Sequence, residues 1–421
     1  MLKNYFKIFL KVARQNKLFT FLSLFGISLT IMFVMIFSMT FNKIIKGSGP
    51  EEELETMLFV SGIKGVSSEE GQHSSFSSGL NRRLCEDYLK KVSSSPTTSM
   101  FAGGIWEFIL NGKHHKKANM QTDAEFWKAF DFTFLQGRPY THEEVMNQDQ
   151  CVVISESIKD LFFSDEENVL GKTIRFFFLQ LTVIGVVEDP APSSQNLSTG
   201  IYLPYTLMPS PYDDPYMGSF EMAFRADKKS QFGAIRKEIQ ETIDRIDSAD
   251  DKWKLSFFGP QTQFEKIIIG NTNPEENTKP WSKIMQYLLW GLGFIFLPAI
   301  NLMALNFARI RERGEEIAVR KSFGANSGIL REQFVFENLL LTLTGGVIGI
   351  IMSFIVVSLL GTSLSIPVSS WNNVPLSFSF DVRVFTIALL SCLLFGLFSG
   401  VLPAIRMSKM KPVKYLKGGE I

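Results

Sequence analysis

Charge in this 421-residue chain is segregated: four long blocks carry no Asp, Glu, Lys or Arg at all. They cover 18–42, between Lys17 and Lys43; 284–308, between Lys283 and Arg309; Asn338 to Phe380; and 384–405, between Arg383 and Arg406. Each reaches the length of about 20 residues that crosses a hydrocarbon core as a helix. In lipid every backbone amide needs an internal partner, so such blocks are expected to be helical. The third block is about twice the required length, but its second half carries Pro367, Pro375, Asn372 and Asn373 among serines. Breakers at that density predict a loop or partly inserted interfacial segment over 361–383, with Trp371 at headgroup depth. The third span is therefore 338–360, and the count is four.

Basic residues then orient the set. Lys3, Lys7, Lys11, Arg14 and Lys17 precede the first span; Arg309, Arg311, Arg313, Arg320, Lys321 and Arg331 lie between the second and third; Arg406, Lys409, Lys411, Lys414 and Lys417 follow the fourth. With four spans all three clusters fall on one side, the cytoplasmic side, and both termini with them. The first block is too long for a signal-peptide core and no small-x-small site follows it, so an uncleaved anchor is expected. Residues 1–17 alternate Leu2, Phe6, Phe9, Leu10 and Ala13 with basic residues at helical spacing, which predicts an amphipathic helix on the inner leaflet. The hydrophobic content of 45% excludes a disordered chain, and 3 Cys exclude a disulfide scaffold. A net charge of +1 gives no reason to expect a nucleic-acid partner.

Residues 43–283 read as a soluble α+β domain on the outer side. Strands are expected over Met57–Ile63, Cys151–Ile154, Thr173–Val187 (with a turn near Phe178–Gln180) and Leu255–Phe258. Helices are expected over Leu80–Val92, Asp123–Phe130 and Phe232–Ile246, and a hairpin over Ile105–Asn119 about the turn pair Asn111-Gly112. The fold class is thus an α-helical integral membrane protein with four transmembrane helices and a large extracytoplasmic α+β domain between helices 1 and 2. Short linkers, Gly47–Pro50 and Lys279–Trp281, would tie that domain mechanically to its flanking spans. Cys85 and Cys151 lie on the oxidising side and can form a bridge; with one pair and no spacing motif, reduced thiols are the expectation. Cys392 is expected to be an inert apolar side chain within the last span.

Several blocks resemble a known family. Phe126 to Pro139 (FWKAFDFTFLQGRP), Val152–Glu156, Gly171–Ile174 and Val183–Asp189 follow in the order found in the periplasmic core domain of MacB-type ABC transporter permeases. Arg311 to Ala325 (RERGEEIAVRKSFGA) is similar to the "R..EI.IRK..GA" signature of FtsX-like permease domains, and Pro403–Arg406 with Pro412-Val413 to their ending. The resemblance implies a permease subunit of the bacterial cell (inner) membrane. It would couple ATP hydrolysis in a separate cytoplasmic ABC ATPase to movement of the outer domain, for efflux, extraction or transmembrane signalling. A second permease, as homodimer or heterodimer, is implied, together with an extracytoplasmic adaptor or substrate. No G-x-x-x-x-G-K-[ST] pattern occurs in the sequence, so ATP and Mg belong to the partner, and no cofactor is expected in this chain.

Glu315–Phe323 is composed of helix formers with a Glu316–Arg320 pair at i,i+4; Gly324 is placed to cap it, and Asn326 or Ser327 to start the next helix. The charge pattern alone suits a solvated helix at the headgroups. The resemblance instead implies that Glu315, Glu316, Ile317, Arg320, Lys321, Gly324 and Ala325 dock on the ATPase. Glu337, at the start of the third span, is a candidate partner for Arg331 or another helix's arginine, or simply snorkels. Gly345-x-x-x-Gly349 and Gly396-x-x-x-Gly400 permit close helix approach, within one subunit or between two, and Pro298 permits a kink in the second span. Enzyme chemistry lacks support: His73, His114, His115 and His142 form no ligand pattern, and no G-x-S-x-G elbow is present. An ATP-independent receptor or scaffold, whose outer domain binds a partner, is the rival reading.

Overall fold

The computed structural model describes residues 17–46, 49–51, 53–68, 74–110, 112–164, 166–190, 199–208, 215–269 and 327–360, with 365–367, 373–375 and a few single positions. Outside the described residues lie the expected amphipathic helix (1–16), nearly all of 284–308 and 384–405 with Pro298, Cys392, Gly396 and Gly400, most of the 309–326 loop, and the tail 406–421. The chain divides into two compact units: 43–284 with 366–375, and 1–42 with 285–365 and 376–421.

Helix α1 (Lys17–Lys46) opens the described chain. The larger unit then runs β1 (Met57–Val60), β2 (Ile63–Ser67), β3 (Ser75–Leu80), α2 (Arg82–Asp87), β4 (Thr97–Leu110), β5 (Lys113–Thr122), α3 (Phe126–Ala129), β6 (Phe134–Gly137), α4 (His142–Met146), β7 (Cys151–Ser155) and α5 (Glu156–Phe163). It continues with β8 (Thr173–Phe176), β9 (Leu179–Val187), β10 (Ile201–Pro204), β11 (Met217–Gly218), β12 (Glu221–Arg225), α6 (Phe232–Ser248), β13 (Trp253–Phe257) and α7 (Gln263–Ile269). A mixed sheet has the order β1-β12-β4-β5-β10-β7-β9-β6, with β8 also on β9; a smaller antiparallel sheet has the order β11-β3-β2-β13. The main core packs Phe59, Phe126, Phe130, Tyr140, Tyr202 and Phe224, all essentially inaccessible. Full burial of such a side chain is worth roughly 1.5–3 kcal/mol.

Local chemistry explains both the agreements and the departures. On α6, Ile235, Ile239, Ile243 and Ile246 recur at helical spacing and are all buried, which fixes its inward face. The β4–β5 hairpin turns through Gly112, which has φ +71°, and runs longer than expected, from Phe101↔Thr122 to Leu110↔Lys113. The expected strand Met57–Ile63 is instead two strands in different sheets. The chain changes partner at Ser61-Gly62, where the Ser61 N–H donates to Phe258 O at 2.9 Å and the Phe258 N–H to Gly62 O. The expected helix Leu80–Val92 breaks at Tyr88 into α2 and a single 3-10 turn. That turn brings Lys90 Nζ to 2.7 Å from the buried Asp123 carboxylate.

Asp123 also accepts from Ser99 Oγ (2.8 Å), Met100 N (3.0 Å) and Phe126 N (3.0 Å), so one carboxylate joins β4, β5 and α3. Burial works against the charge of Lys90, yet Asp123 outweighs it and the ammonium stays above its ordinary range. Both cysteines of this unit are free and buried. Burial, reinforced by Glu144 and Asp149, pushes the Cys151 thiol up to about 12, and burial raises Cys85 further still, so neither forms a thiolate at neutral pH.

In the other unit, α8 (Ser327–Leu360) packs on α1 through Ile27, Ile31, Met35, Met39 and Leu341. Among the described residues, Val335–Leu359 is the one stretch long and apolar enough to cross a membrane; Thr20–Ile36 in α1 is a shorter apolar stretch. The hydroxyls of these helices bond within their own helix, Thr30 to Gly26 O (2.8 Å), Thr342 to Asn338 O (2.8 Å) and Ser353 to Ile350 O (2.7 Å). The hydrogens of these groups are thereby paired inside the helices. Gly345 and Gly349 face α1: a methyl group at Gly349 would lie 2.5 Å from Ser28 O and 2.9 Å from Ile31 Cβ. The Gly345-x-x-x-Gly349 pattern thus packs within one chain. In the 361–383 segment, two short strands, β14 (Ser365–Pro367) and β15 (Asn373–Pro375), pair and each ends at a proline.

Lys90→Met is expected to cost about 3 kcal/mol, because it leaves Asp123 buried without its cation; a lowered thermal midpoint of the full chain in detergent checks this. Gly349→Ala is expected to cost about 1–3 kcal/mol by overpacking, while Gly103→Ala, with nothing within 4 Å of the added methyl, should leave the midpoint near wild type.

Candidate functional site

Of the residues expected to form the ATPase-coupling site, Glu315, Glu316, Ile317, Arg320, Lys321, Gly324 and Ala325, all lie outside the described residues. Glu337 is described: it is buried, and Gln333 Nε2 donates to its Oε1 at 3.1 Å. The described chain instead brings together a set of ion pairs at the two ends of the described part of the larger unit, 49–269.

The leading end follows α1 in the chain. It carries Glu53 and Glu55 around the buried Leu54, in a 3-10 turn that runs straight into β1. Because β1 pairs with β12 in the register Met57↔Arg225, the Arg225 side chain reaches past the start of β1. It pairs with Glu53, and its Nη1 donates to Asp131 Oδ1 (3.0 Å) and to the carbonyls of Lys128 and Ala129 (3.1 Å each). Lys229 Nζ donates to Glu55 at 2.8 Å, and the Asp131 N–H to Pro50 O at 3.1 Å. Burial alone would lower the Arg225 pKa; Asp131 and Glu53 reverse that and raise it.

The trailing end is α7. Thr262 and Glu265 cap its start reciprocally, Glu265 N donating to Thr262 Oγ1 (3.2 Å) and Thr262 N to Glu265 Oε2 (2.7 Å). Arg236 Nη2 donates to Glu265 at 2.6 Å, and Lys266 Nζ to Glu221 at 2.6 Å while lying 5.4 Å from the Phe59 ring centre. Burial pushes the Glu265 carboxyl up, but Arg236 and Thr262 more than compensate and hold it below the ordinary range. The two ends also bond each other directly: Phe59 N–H to Gln261 O at 2.7 Å and Gln261 N–H to Phe59 O at 2.9 Å.

One continuous stretch, Glu221 to Arg236, therefore grips both ends through Glu221, Arg225, Lys229 and Arg236. An exposed ion pair contributes about 0–1 kcal/mol; Arg225, 20% exposed and shared by two acids and two carbonyls, is worth more. Among the described residues no group of three His, Cys, Asp or Glu could hold a metal ion. The arrangement suits the transfer of force between the ends of the domain and its sheet. Sequence reasoning did not identify it. Its one signal is the acidic run Glu51–Glu53 with Glu55 after the first span, whose cationic partner Arg225 lies 172 residues from Glu53.

Comparison with known proteins adds the family. Residues 20–242 match the MacB-like periplasmic core domain, and residues 289–412 the FtsX-like permease C-terminal domain. The chain is 29% identical over 281 residues to the macrolide export ATP-binding/permease protein MacB of Aggregatibacter actinomycetemcomitans, covering 66% of this chain and 40% of that protein. It is 22% identical over 344 residues to the ABC transporter permease YvrN of Bacillus subtilis, covering 79% of each. The chain thus spans less than half the length of MacB relatives such as that of Aggregatibacter. Among solved structures, the periplasmic region of MacB from Actinobacillus actinomycetemcomitans is similar, at 20% identity and TM-score 0.35, over 52% of this chain and 94% of that one.

The trailing clamp has a defined pH dependence. A carboxyl whose folded pKa is depressed stabilises fully above its unfolded value, about 4.3, and that stabilisation disappears as pH falls through the folded value. The thermal midpoint is expected to drop on acidification below about pH 4.3, and Glu265→Gln is expected to show a lower midpoint at pH 7 with a shallower acid limb.

Proposed function

The chain belongs to the ABC transporter permease family that joins a MacB-like periplasmic core domain to an FtsX-like permease domain, and from that premise we propose that it is a mechanotransmitter. In this reading a separate cytoplasmic ATPase binds and hydrolyses ATP with Mg. Its movement enters the permease through the loop bearing Glu315, Glu316, Ile317, Arg320, Lys321, Gly324 and Ala325. Two permeases pair in the bacterial inner membrane, each with four spans, cytoplasmic termini and the 43–283 domain outside, where an adaptor or substrate engages it.

The observation that carries the reading is the clamp. A domain that merely hung from its spans would need no ion pairs at its ends. Here the segment after α1 and the segment α7 are bonded to each other and to the same stretch of chain. Displacement of the segment Glu53–Val60 would accordingly load β12 and, through Gln261 and α7, α6. The permease-only role is supported by the similarity to YvrN, which covers 79% of both chains, and by the lack of a phosphate-loop pattern in these residues. The MacB relatives are named for macrolide export; export, extraction and signalling all remain compatible outputs of the same stroke.

Glu316→Lys with Arg320→Glu, in a complex reconstituted with the cognate ATPase, is expected to abolish stimulation of ATP hydrolysis while membrane insertion stays normal. Normal stimulation would refute the docking role. Purification of the permease without any Walker-motif ATPase would favour the receptor reading.

A further inference from the structure

The smaller sheet, β11-β3-β2-β13, has two edges that the chain treats differently. Along an antiparallel strand, successive residues point their N–H and C=O to opposite sides. On β13 the N–H groups of Trp253 and Leu255 face away from β2, and Asp250 and Asp247 accept from them at 2.8 Å and 2.5 Å. On β3 the Ser67 N–H reaches Ser74 O from the β2 side, and the Asn81 N–H reaches Tyr216 O on the far side. By alternation Ser75 and Ser77 also turn their backbone groups to the far side, and among the described residues nothing pairs with them. β11 takes up that side at Gly79 and Leu80. The open stretch is therefore Ser74–Ser78, serine throughout except for Phe76. Exposed edges are guarded by lysine, proline or a bulge. This one has neither residue, and its pairing with β2 is regular.

Symmetry selects the occupant. An antiparallel neighbour must set outward-facing residues of its own opposite Ser75 and Ser77. A second copy of β3 does so when its Phe76 meets Phe76: each Ser75 then faces the other copy's Ser77, and four N–H···O=C bonds form. That centre is also the midpoint of the open stretch, and β11 blocks a shift toward Gly79. The side chains permit the approach. Gly65 lets the Phe76 ring lean inward over β2, where a methyl group would lie 2.2 Å from Phe76 Cε1. There the ring packs on Trp253 and Tyr216, at centroid distances of 5.1 Å and 6.4 Å. Charge does not oppose the pairing. Lys64, opposite Ser77 on β2, would lie three strand spacings, roughly 14 Å, from its copy, beyond the ~8 Å screening length. A charged foreign peptide, by contrast, finds no counter-charge on Ser74–Ser78. We propose that two copies of this chain pair edge to edge through Ser74–Ser78, joining their small sheets into one. The inference rests on the reading that two permeases pair, and it gives that pairing a surface in the larger unit. Four hydrogen bonds make a contact too small to hold two soluble domains together, so it forms between chains already confined to one bilayer.

The test uses full chains carrying two different tags, co-expressed and kept in native membranes. Ser75→Cys in one copy with Ser77→Cys in the other is expected to give an intermolecular disulfide on mild oxidation. Its yield should be about tenfold above that of either variant with itself, because opposed residues lie about 5.5 Å apart at Cα and identical ones lie beyond disulfide reach. The wild-type chain, with its own cysteines, sets the background. Ser77→Pro removes an N–H that bonds nothing within the chain, so the thermal midpoint should stay near wild type. The same variant should cost the Ser75 amide about tenfold in protection from hydrogen exchange. Tagged copies that co-purify without the disulfide between positions 75 and 77 overturn the edge pairing and leave the paired permease standing; copies that never co-purify overturn both. Equal disulfide yield in all three combinations, capture of another protein by these cysteines, or wild-type exchange at Ser75 in Ser77→Pro also overturns the proposal.

Discussion

The Arg225 guanidinium and its neighbours hold the larger unit together at the place where a chain of this kind is weakest. Hydrogen bonds at a strand's start fray first. Here the fraying is opposed by charge. Arg225 binds the turn before β1, α3 and the strand register at once, while Lys229, Arg236 and Glu221 serve the remaining attachments. The arrangement alternates trailing, leading, leading and trailing partners along one stretch of chain. The two ends are linked directly by the Phe59–Gln261 backbone pair.

The interior repeats this economy with Asp123. Buried charge is costly unless every lone pair is used, and Asp123 uses its oxygens on Lys90, Ser99, Met100 and Phe126. That concentration explains why α2 ends early and why α3 is short: the chain bends to deliver donors to one carboxylate. Around it the aromatic residues Phe101, Phe126, Phe130, Trp127 and Tyr202 pack at centroid distances of 4.9–6.1 Å, many of them edge-on or tilted.

Periodicity in the sequence revealed α6 and the Asn111-Gly112 hairpin, because those signals are local. The long apolar stretch within α8 was legible for the same reason. What stayed hidden depended on partners far away in the chain. The break at Ser61-Gly62 is set by Phe258, and the bend at Tyr88 by Asp123, neither of which leaves a trace within a window of ten residues. The turn at Phe177-Phe178 was placed only approximately, since Phe177 adopts φ +51° without a glycine or asparagine to announce it. The clamp needed pairings 172 and 174 residues apart, while the coupling loop was read from its resemblance to a family and from a single i,i+4 pair.

The seam between α1 and α8 has a mechanical corollary. Where side chains interdigitate, rotamers yield and absorb small shifts by hopping between wells. At Gly349 the contact is main chain on main chain, with Ser28 O directly opposite, and no torsion intervenes to soften it. A helix pair joined this way has its spacing fixed by two backbones, with no rotamer whose change could widen or narrow it at that point.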